Sequence, residues 1–175
     1  MYLGDGTISA HPRDVYRLRI TLDRSYPLII EECRHRVAHL IPGRRVGVYP
    51  RRHENAADVS CYSKHWPCLL PQHGRGRKHL RPIELEPWQE AIVAAHPDQL
   101  LRGFIHSDGT RHLNRVNGTD YPRYMFTNQS EQIRRLFCDA CERLGVHWTQ
   151  SYWKTISIAR QQSVAILDRF VGPKA

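Results

Sequence analysis

Leu-Leu-Arg-Gly-Phe-Ile-His-Ser-Asp-Gly, residues Leu100–Gly109, is the stretch on which the fold of this chain turns. It reads as a helix that runs into Asp-Gly, with Gly103 about a turn and a half before Asp108. A small residue at that spacing would let a second helix approach closely. Met-Tyr-Leu-Gly-Asp-Gly, Met1–Gly6, ends the same way and makes Asp5 the counterpart of Asp108. Alone, Asp-Gly after a helix is a common ending, expected because glycine takes positive φ where helices stop. Here the surrounding order recurs as well.

After Gly6 the sequence predicts a strand near Tyr16–Leu22 and a helix over Pro27–Leu40. Strands near Arg45–Tyr49 and Asp58–Tyr62 follow, then the apolar run HWPCLL. After Gly109 it predicts a strand near Arg123–Asn128, a helix over Gln132–Leu144, strands near Val146–Ser151 and Thr155–Ala159, and a helix over Ser163–Val171. Asp5 and Asp108 are 103 residues apart, and Ser25 and Ser130 are 105 apart. A repeat of that period implies an internal duplication with two pseudo-symmetric halves. The expected boundaries are a first repeat at 1–71, a linker at 72–99 and a second repeat at 100–175. The linker opens with HGRGRKHLRP, and Glu86-Pro87 announces a short helix through Ala95. It reads equally as a segment crossing a phosphate backbone or as a solvated connector.

The strand YRLRITLD alternates cleanly. Leu18, Ile20 and Leu22 share one face, and Arg17, Arg19, Thr21 and Asp23 share the other. In RYMFTN the phase stays open, with Tyr124 and Phe126 competing against Met125 for the inner face. TISIA puts Ile156 and Ile158 inside. The two halves together suggest an antiparallel surface, apolar behind and basic in front. The charge agrees: 26 Lys+Arg against 17 Asp+Glu give +9, with 22 of the 26 being Arg. A basic domain points to a polyanion such as nucleic acid. Arg suits phosphates and guanine edges through its two parallel donors, although a GC-rich genome would also favour Arg codons.

At 175 residues and 41% hydrophobic the chain can bury a core without staples. No apolar run reaches the roughly 18 residues that span a bilayer, and the start lacks the basic and apolar regions of an export signal. A cytoplasmic location, nucleoid-associated if the source is bacterial, is the expectation. Five cysteines without an export signal argue against disulfides. Cys138-x-x-Cys141 invites a zinc reading, but it sits in a helical pattern with no second pair, which favours small core residues. The eleven His form no metal-binding tract.

LLRGFIHSDG and the shorter MYLGDG resemble the paired LAGLIDADG motifs of homing endonucleases, and the order after each resembles that family's half. The chain is also similar to single-chain LAGLIDADG-like proteins of actinobacteria. The resemblance implies an α+β fold: two pseudo-symmetric αββαββα halves forming a saddle of antiparallel sheets with helices behind. The first motif departs from the pattern, since the counterpart of Gly103 would fall just before Met1. A start further upstream is the favoured account.

If the two motif helices pack side by side, Asp5 and Asp108 meet and need a cation between them, for which Mg²⁺ is the natural choice. The resemblance implies the same: Asp5 and Asp108 bind divalent metal, with the backbone of Gly4 and Ser107 beside them. A metal-activated water would attack a DNA phosphodiester. It further implies a basic residue near the end of each fourth strand that orders water, for which Lys64 and Arg160, followed by Gln161 and Gln162, are the positional matches. Double-stranded DNA is the expected partner of a monomer with two halves. Its contacts would be Arg17, Arg19, Thr21, Arg44, Arg45, Arg51 and Arg52 in the first half, and Thr110, Arg111, Arg115 and Arg123 in the second. The leading expectation is therefore a Mg²⁺-dependent endonuclease. A catalytically inactive regulator of the same fold is the alternative, and an RNA-binding splicing maturase the lesser one. Stacking aromatics on the outer strand face, with Tyr62 and Tyr124 as candidates, would favour single-stranded RNA.

Overall fold

A computed structural model describes residues 1–174. The chain divides into two compact units, Met1–Arg75 with the residues from Pro173 on, and Gly76–Gly172.

The first unit runs α1 (Tyr2–Asp5), β1 (Gly6–His11), β2 (Val15–Asp23), α2 (Pro27–Leu40), β3 (Gly47–Pro50), β4 (Ala56–Ser63) and α3 (Trp66–Leu69). The second runs from a 3₁₀ turn at Lys78–Leu80 through α4 (Pro87–Ala95), α5 (Pro97–Asp108), β5 (Gly109–Val116), β6 (Thr119–Thr127), α6 (Glu131–Arg143), β7 (Thr149–Tyr152), β8 (Thr155–Ile158) and α7 (Gln161–Asp168). Each unit holds one antiparallel four-stranded sheet, ordered β1-β2-β4-β3 and β5-β6-β8-β7. The same order with the same connections is the duplication written in backbone hydrogen bonds.

The local chemistry explains the elements. Pro27 fills the first turn of α2, where its missing N–H is no loss. Ile29, Cys33 and Val37 recur every fourth residue and are buried against Leu18, Ile20, Leu22 and Val59 of the sheet. In the second unit Ser130 caps α6 by accepting from the Ile133 amide. Ile133, Phe137 and Cys141 make its buried stripe, and Phe137 stacks on Phe126 with ring centroids 4.3 Å apart. Glu86 and Gln89 form a capping box at the start of α4. His96 ends that helix and, at Pro97, α5 begins. The second motif helix thus starts three residues earlier than its sequence pattern suggests.

Other differences have simple causes. The strands β1 and β5 start at the glycine of each Asp-Gly pair; β5 has polar residues on both faces, and β1 alternates but with Ile8 as the one large apolar residue on its inner face. The β5–β6 turn is Asn117-Gly118, both at positive φ (50° and 82°), the mirror-image turn that matches strand twist. The β1–β2 turn holds Arg13 and Asp14 at φ 64° and 55° without a glycine. The open phase of RYMFTN is settled: Tyr124 and Phe126 are buried and Met125 faces the other way. The last helix covers Gln161–Asp168 instead of Ser163–Val171. All five cysteines are free, and only Cys68 is exposed. Burial pushes the Cys33 and Cys138 thiols up to about 12. No group of three or more His, Cys, Asp or Glu side chains that could hold a metal exists among the described residues. Cys138 and Cys141 are core residues. No helix among the described residues is long and apolar enough to cross a membrane.

Candidate functional site

Asp5 is the last residue of α1 and Asp108 the last of α5; both are half-buried. In each unit the helix passes straight into the first strand with no intervening loop. The glycine after each aspartate is extended, Gly6 at φ −88° and Gly109 at φ −106°. The expectation of a positive φ there is overturned. What these positions require is the absence of a side chain. A Cβ at Gly109 would lie 2.6 Å from the Ile105 Cα and 2.9 Å from its carbonyl oxygen. At Gly6 it would lie 2.8 Å from the Tyr2 Cα and 2.7 Å from its carbonyl oxygen. Tyr2 and Ile105 occupy the same place, four residues before the glycine. Both motifs therefore use glycine for one steric reason, which turns the chain tightly enough to leave a carboxylate at the helix–strand junction.

Asp108 is held from the side. The Asn128 side-chain amide donates to its Oδ2 at 2.8 Å, while Asn128 Oδ1 accepts from the Ser130 amide at 2.8 Å. The Ser107 hydroxyl donates back to the carbonyls of Gly103 and Phe104 at 3.0 and 3.1 Å. The α5 helix is anchored by the chain beyond α7: Arg102 donates to the Phe170 carbonyl at 2.7 Å, and His106 Nε2 donates to the Val171 carbonyl at 2.8 Å. Each helix end offers oxygen donors only, a carboxylate and nearby backbone carbonyls, at the negative pole of the helix dipole. That donor set suits a hard divalent cation.

Arg17, Arg19 and Thr21 line the polar face of the first sheet, directly across from Tyr62, Ser60 and Asp58. Arg17 donates to the Ser60 hydroxyl at 2.7 Å, and Thr21 donates to Asp58 at 2.8 Å. Arg44 and Arg45 are exposed in the segment before β3, and Arg52 is exposed in the β3–β4 turn. Arg51 pairs with Glu54 and approaches Asp58 at 3.9 Å. In the second sheet Thr110 faces Met125 and His112 faces Arg123, on the polar side. Arg123 Nε is buried without a hydrogen-bond partner.

Arg111 and Arg115 do not share that face. Strand alternation puts them opposite Tyr124 and Asp120 instead. Arg111 makes a two-pronged pair with Asp168 at 2.8 and 2.9 Å, and the Tyr124 hydroxyl donates to the same carboxylate at 2.6 Å. Arg111 beside it, then Tyr124, hold the Asp168 carboxyl below its usual range against the opposing effect of burial. Arg115 lies 3.9 Å from Asp120. These two arginines join strand to helix and hairpin arm to hairpin arm.

Lys64 and Arg160 sit away from the aspartates along the strands. Gly6 pairs with Ile20, whereas Ser63, next to Lys64, pairs with Tyr16. Those levels are four residues apart, about 13 Å at roughly 3.3 Å per residue. In the second sheet Gly109 pairs with Phe126 and Ile158 with Tyr124, and Arg160 lies two residues further on. Near the Asp108 end, the Lys154 carbonyl accepts from the Asn128 backbone amide at 3.0 Å, and Arg134 donates to the Asn128 carbonyl at 2.7 Å. Sequence reading missed both Asn128 and Lys154. Asn-x-Ser before a helix was the available signal for Asn128. Lys154 becomes visible only once the strand register is known.

No protein-family model matches the sequence, and no curated protein matches it. The fold is that of the LAGLIDADG homing endonucleases. I-DmoI in complex with DNA and Mn matches at a TM-score of 0.60, with 12% identity over 98% of this chain and 92% of that one. The meganuclease I-SmaMI, bound to uncleaveable DNA, matches at 0.57 with 11% identity over 98% and 80%. The N-terminal LAGLIDADG domain of DUF199/WhiA matches at 0.55 with 11% identity over 98% and 77%.

Proposed function

We propose that the protein binds double-stranded DNA on the polar faces of its sheets and hydrolyses phosphodiester bonds with divalent cations, bound at Asp5 in the first unit and at Asp108 in the second. The observation that carries the reading is the repeated junction, in which helix, aspartate and side-chain-free glycine lead directly into an antiparallel sheet in both units. Mg²⁺ or a similar ion, bound there, would supply Lewis-acid stabilisation of the phosphate and an activated water. In each unit the carboxylate would hold an ion, with the backbone of Gly4 beside Asp5 and of Ser107 beside Asp108 as further oxygen donors. Asn128 fixes the orientation of the Asp108 carboxylate. Arg17, Arg19, Thr21, Arg52, Thr110 and Arg123 would place the duplex by phosphate and base-edge contacts.

A DNA-binding regulator of the same fold is the second reading. It is favoured by the position of Lys64 and Arg160, about four strand residues from the aspartates. The test is Mg²⁺-dependent cleavage of a randomised duplex library, with bound and cut fractions sequenced separately. A recurring cut site is expected. Asp5→Asn and Asp108→Asn should each abolish cutting and leave binding intact, because only cation ligation is lost. Binding without cutting by the unmodified chain moves the assignment to the regulator. Cutting that survives both substitutions places the chemistry elsewhere.

A further inference from the structure

The polar face of the first sheet carries aromatic rings as well as arginines. Tyr62 is 48% exposed and Tyr49 is 51% exposed. Both stand on the Arg17–Arg19–Thr21 side, since Tyr62 is directly across from Arg17 and Tyr49 across from Asp58, the acceptor of Thr21. The Tyr49 ring lies over Gly47, where a Cβ would run into it. Glycine thus lets the ring lie against the backbone with its other face to solvent. Tyr62 meets the His11 ring edge-on at 5.2 Å, and the Arg17 guanidinium lies 5.8 Å from its centroid. Tyr124, the other stacking candidate read from the sequence, is buried on the opposite side of its own sheet.

Exposed tyrosine rings among arginines are poorly used by a duplex, whose base faces are already stacked. Single-stranded nucleic acid offers what they match: open base faces and a phosphate for each base. Tyr49 and Tyr62 are separated by about four strand residues, roughly 13 Å, room for a strand to place separate bases on each. We propose that this sheet face binds single-stranded nucleic acid, with bases stacked on Tyr49 and Tyr62 and phosphates held by Arg17 and Arg19. The inference shares its basic surface with the duplex reading but rests on the rings, so either can fail alone.

The experiment uses the whole chain and labelled 12-mers in fluorescence anisotropy: oligo-dT, oligo-rU, an abasic deoxyribose-phosphate strand of equal charge, and a random-sequence duplex. Oligo-dT should bind at least tenfold more tightly than the abasic strand. Tyr49→Ala and Tyr62→Ala should each cost about tenfold or more against oligo-dT, the range for loss of one base stack, and leave abasic affinity unchanged. Tyr49→Phe and Tyr62→Phe should restore binding, because stacking needs the ring and not the hydroxyl. A preference for oligo-rU over oligo-dT would identify RNA as the source. Equal affinity for oligo-dT and the abasic strand overturns the inference, as does failure of the Phe variants to rescue. Duplex binding with no base-dependent single-strand binding refutes this inference and spares the duplex reading. Tight oligo-dT binding with no duplex binding does the reverse.

Discussion

At the scale of single residues, Gly109 makes the sharpest claim. Its backbone is extended, so any residue could adopt its φ, and the demand is purely steric. The Ile105 main chain that an added methyl would strike is part of a helix and cannot swing aside. Gly109→Ala should destabilise the protein by roughly 1–3 kcal/mol, the usual cost of overpacking, and move Asp108 out of reach of Asn128. Thermal unfolding checks the first effect, and loss of Mg²⁺-dependent activity the second. A variant as stable as the parent would show that the junction has slack. The residue scale is also where sequence was most and least informative. The helix-end positions of Asp5 and Asp108 were legible because the Asp-Gly ending recurs ahead of the same order of elements. The reason for glycine was misread, since φ and steric crowding leave the same letter. Arg111 looked like its neighbours in charge, and only alternation against Tyr124 reveals that it faces Asp168.

The Asp168 cluster acts between elements, pinning the end of α7 to β5 and β6. Its carboxyl is held below the usual range by Arg111 and Tyr124. A depressed carboxyl stabilises the folded chain above its unfolded value near 3.9, and that contribution fades as pH falls through the folded value. The Asp168 side chain is 38% exposed, so water screens the pair and the gain stays near 1 kcal/mol or below. Asp168→Asn should therefore lower Tm by about 2–4 °C at pH 7, with the difference from the parent shrinking as pH drops below about 4. An equal Tm difference at both pH values would assign the effect to packing. Among the elements, α2 was legible to the residue, since Pro27 and the four-residue apolar rhythm mark it. β5 was not, because it is an edge strand with polar residues on both faces, and neither was the edge strand β1, which alternates but whose inner face, Gly6, Ile8 and Ala10, carries a single large apolar side chain. The paired backbone of β2 and β6 holds them, and no side-chain pattern announces that.

For the molecule as a whole, +9 is a number that the structure divides unequally. Some of the 22 arginines serve the fold: Arg111 on Asp168, Arg34 on Glu31, Arg102 on the carbonyls after α7. Others, such as Arg19 on the first sheet and Arg52 in its turn, lie on the polar face or at its end. Composition cannot separate the two groups; register and pairing can. Their separation has a measurable consequence for a polyanion partner, because each phosphate neutralised releases counterions and steepens the fall of affinity with salt. Arg19→Ala and Arg52→Ala should each reduce the slope of log affinity against log salt by about 1 for duplex DNA. Arg111→Ala should leave the slope alone and lower the Tm. Titrations of the same duplex over several salt concentrations decide it. If Arg111 changes the slope as much as Arg19 does, the nucleic acid contacts the helix side of the second sheet, and the assignment of the polar faces as the interface falls.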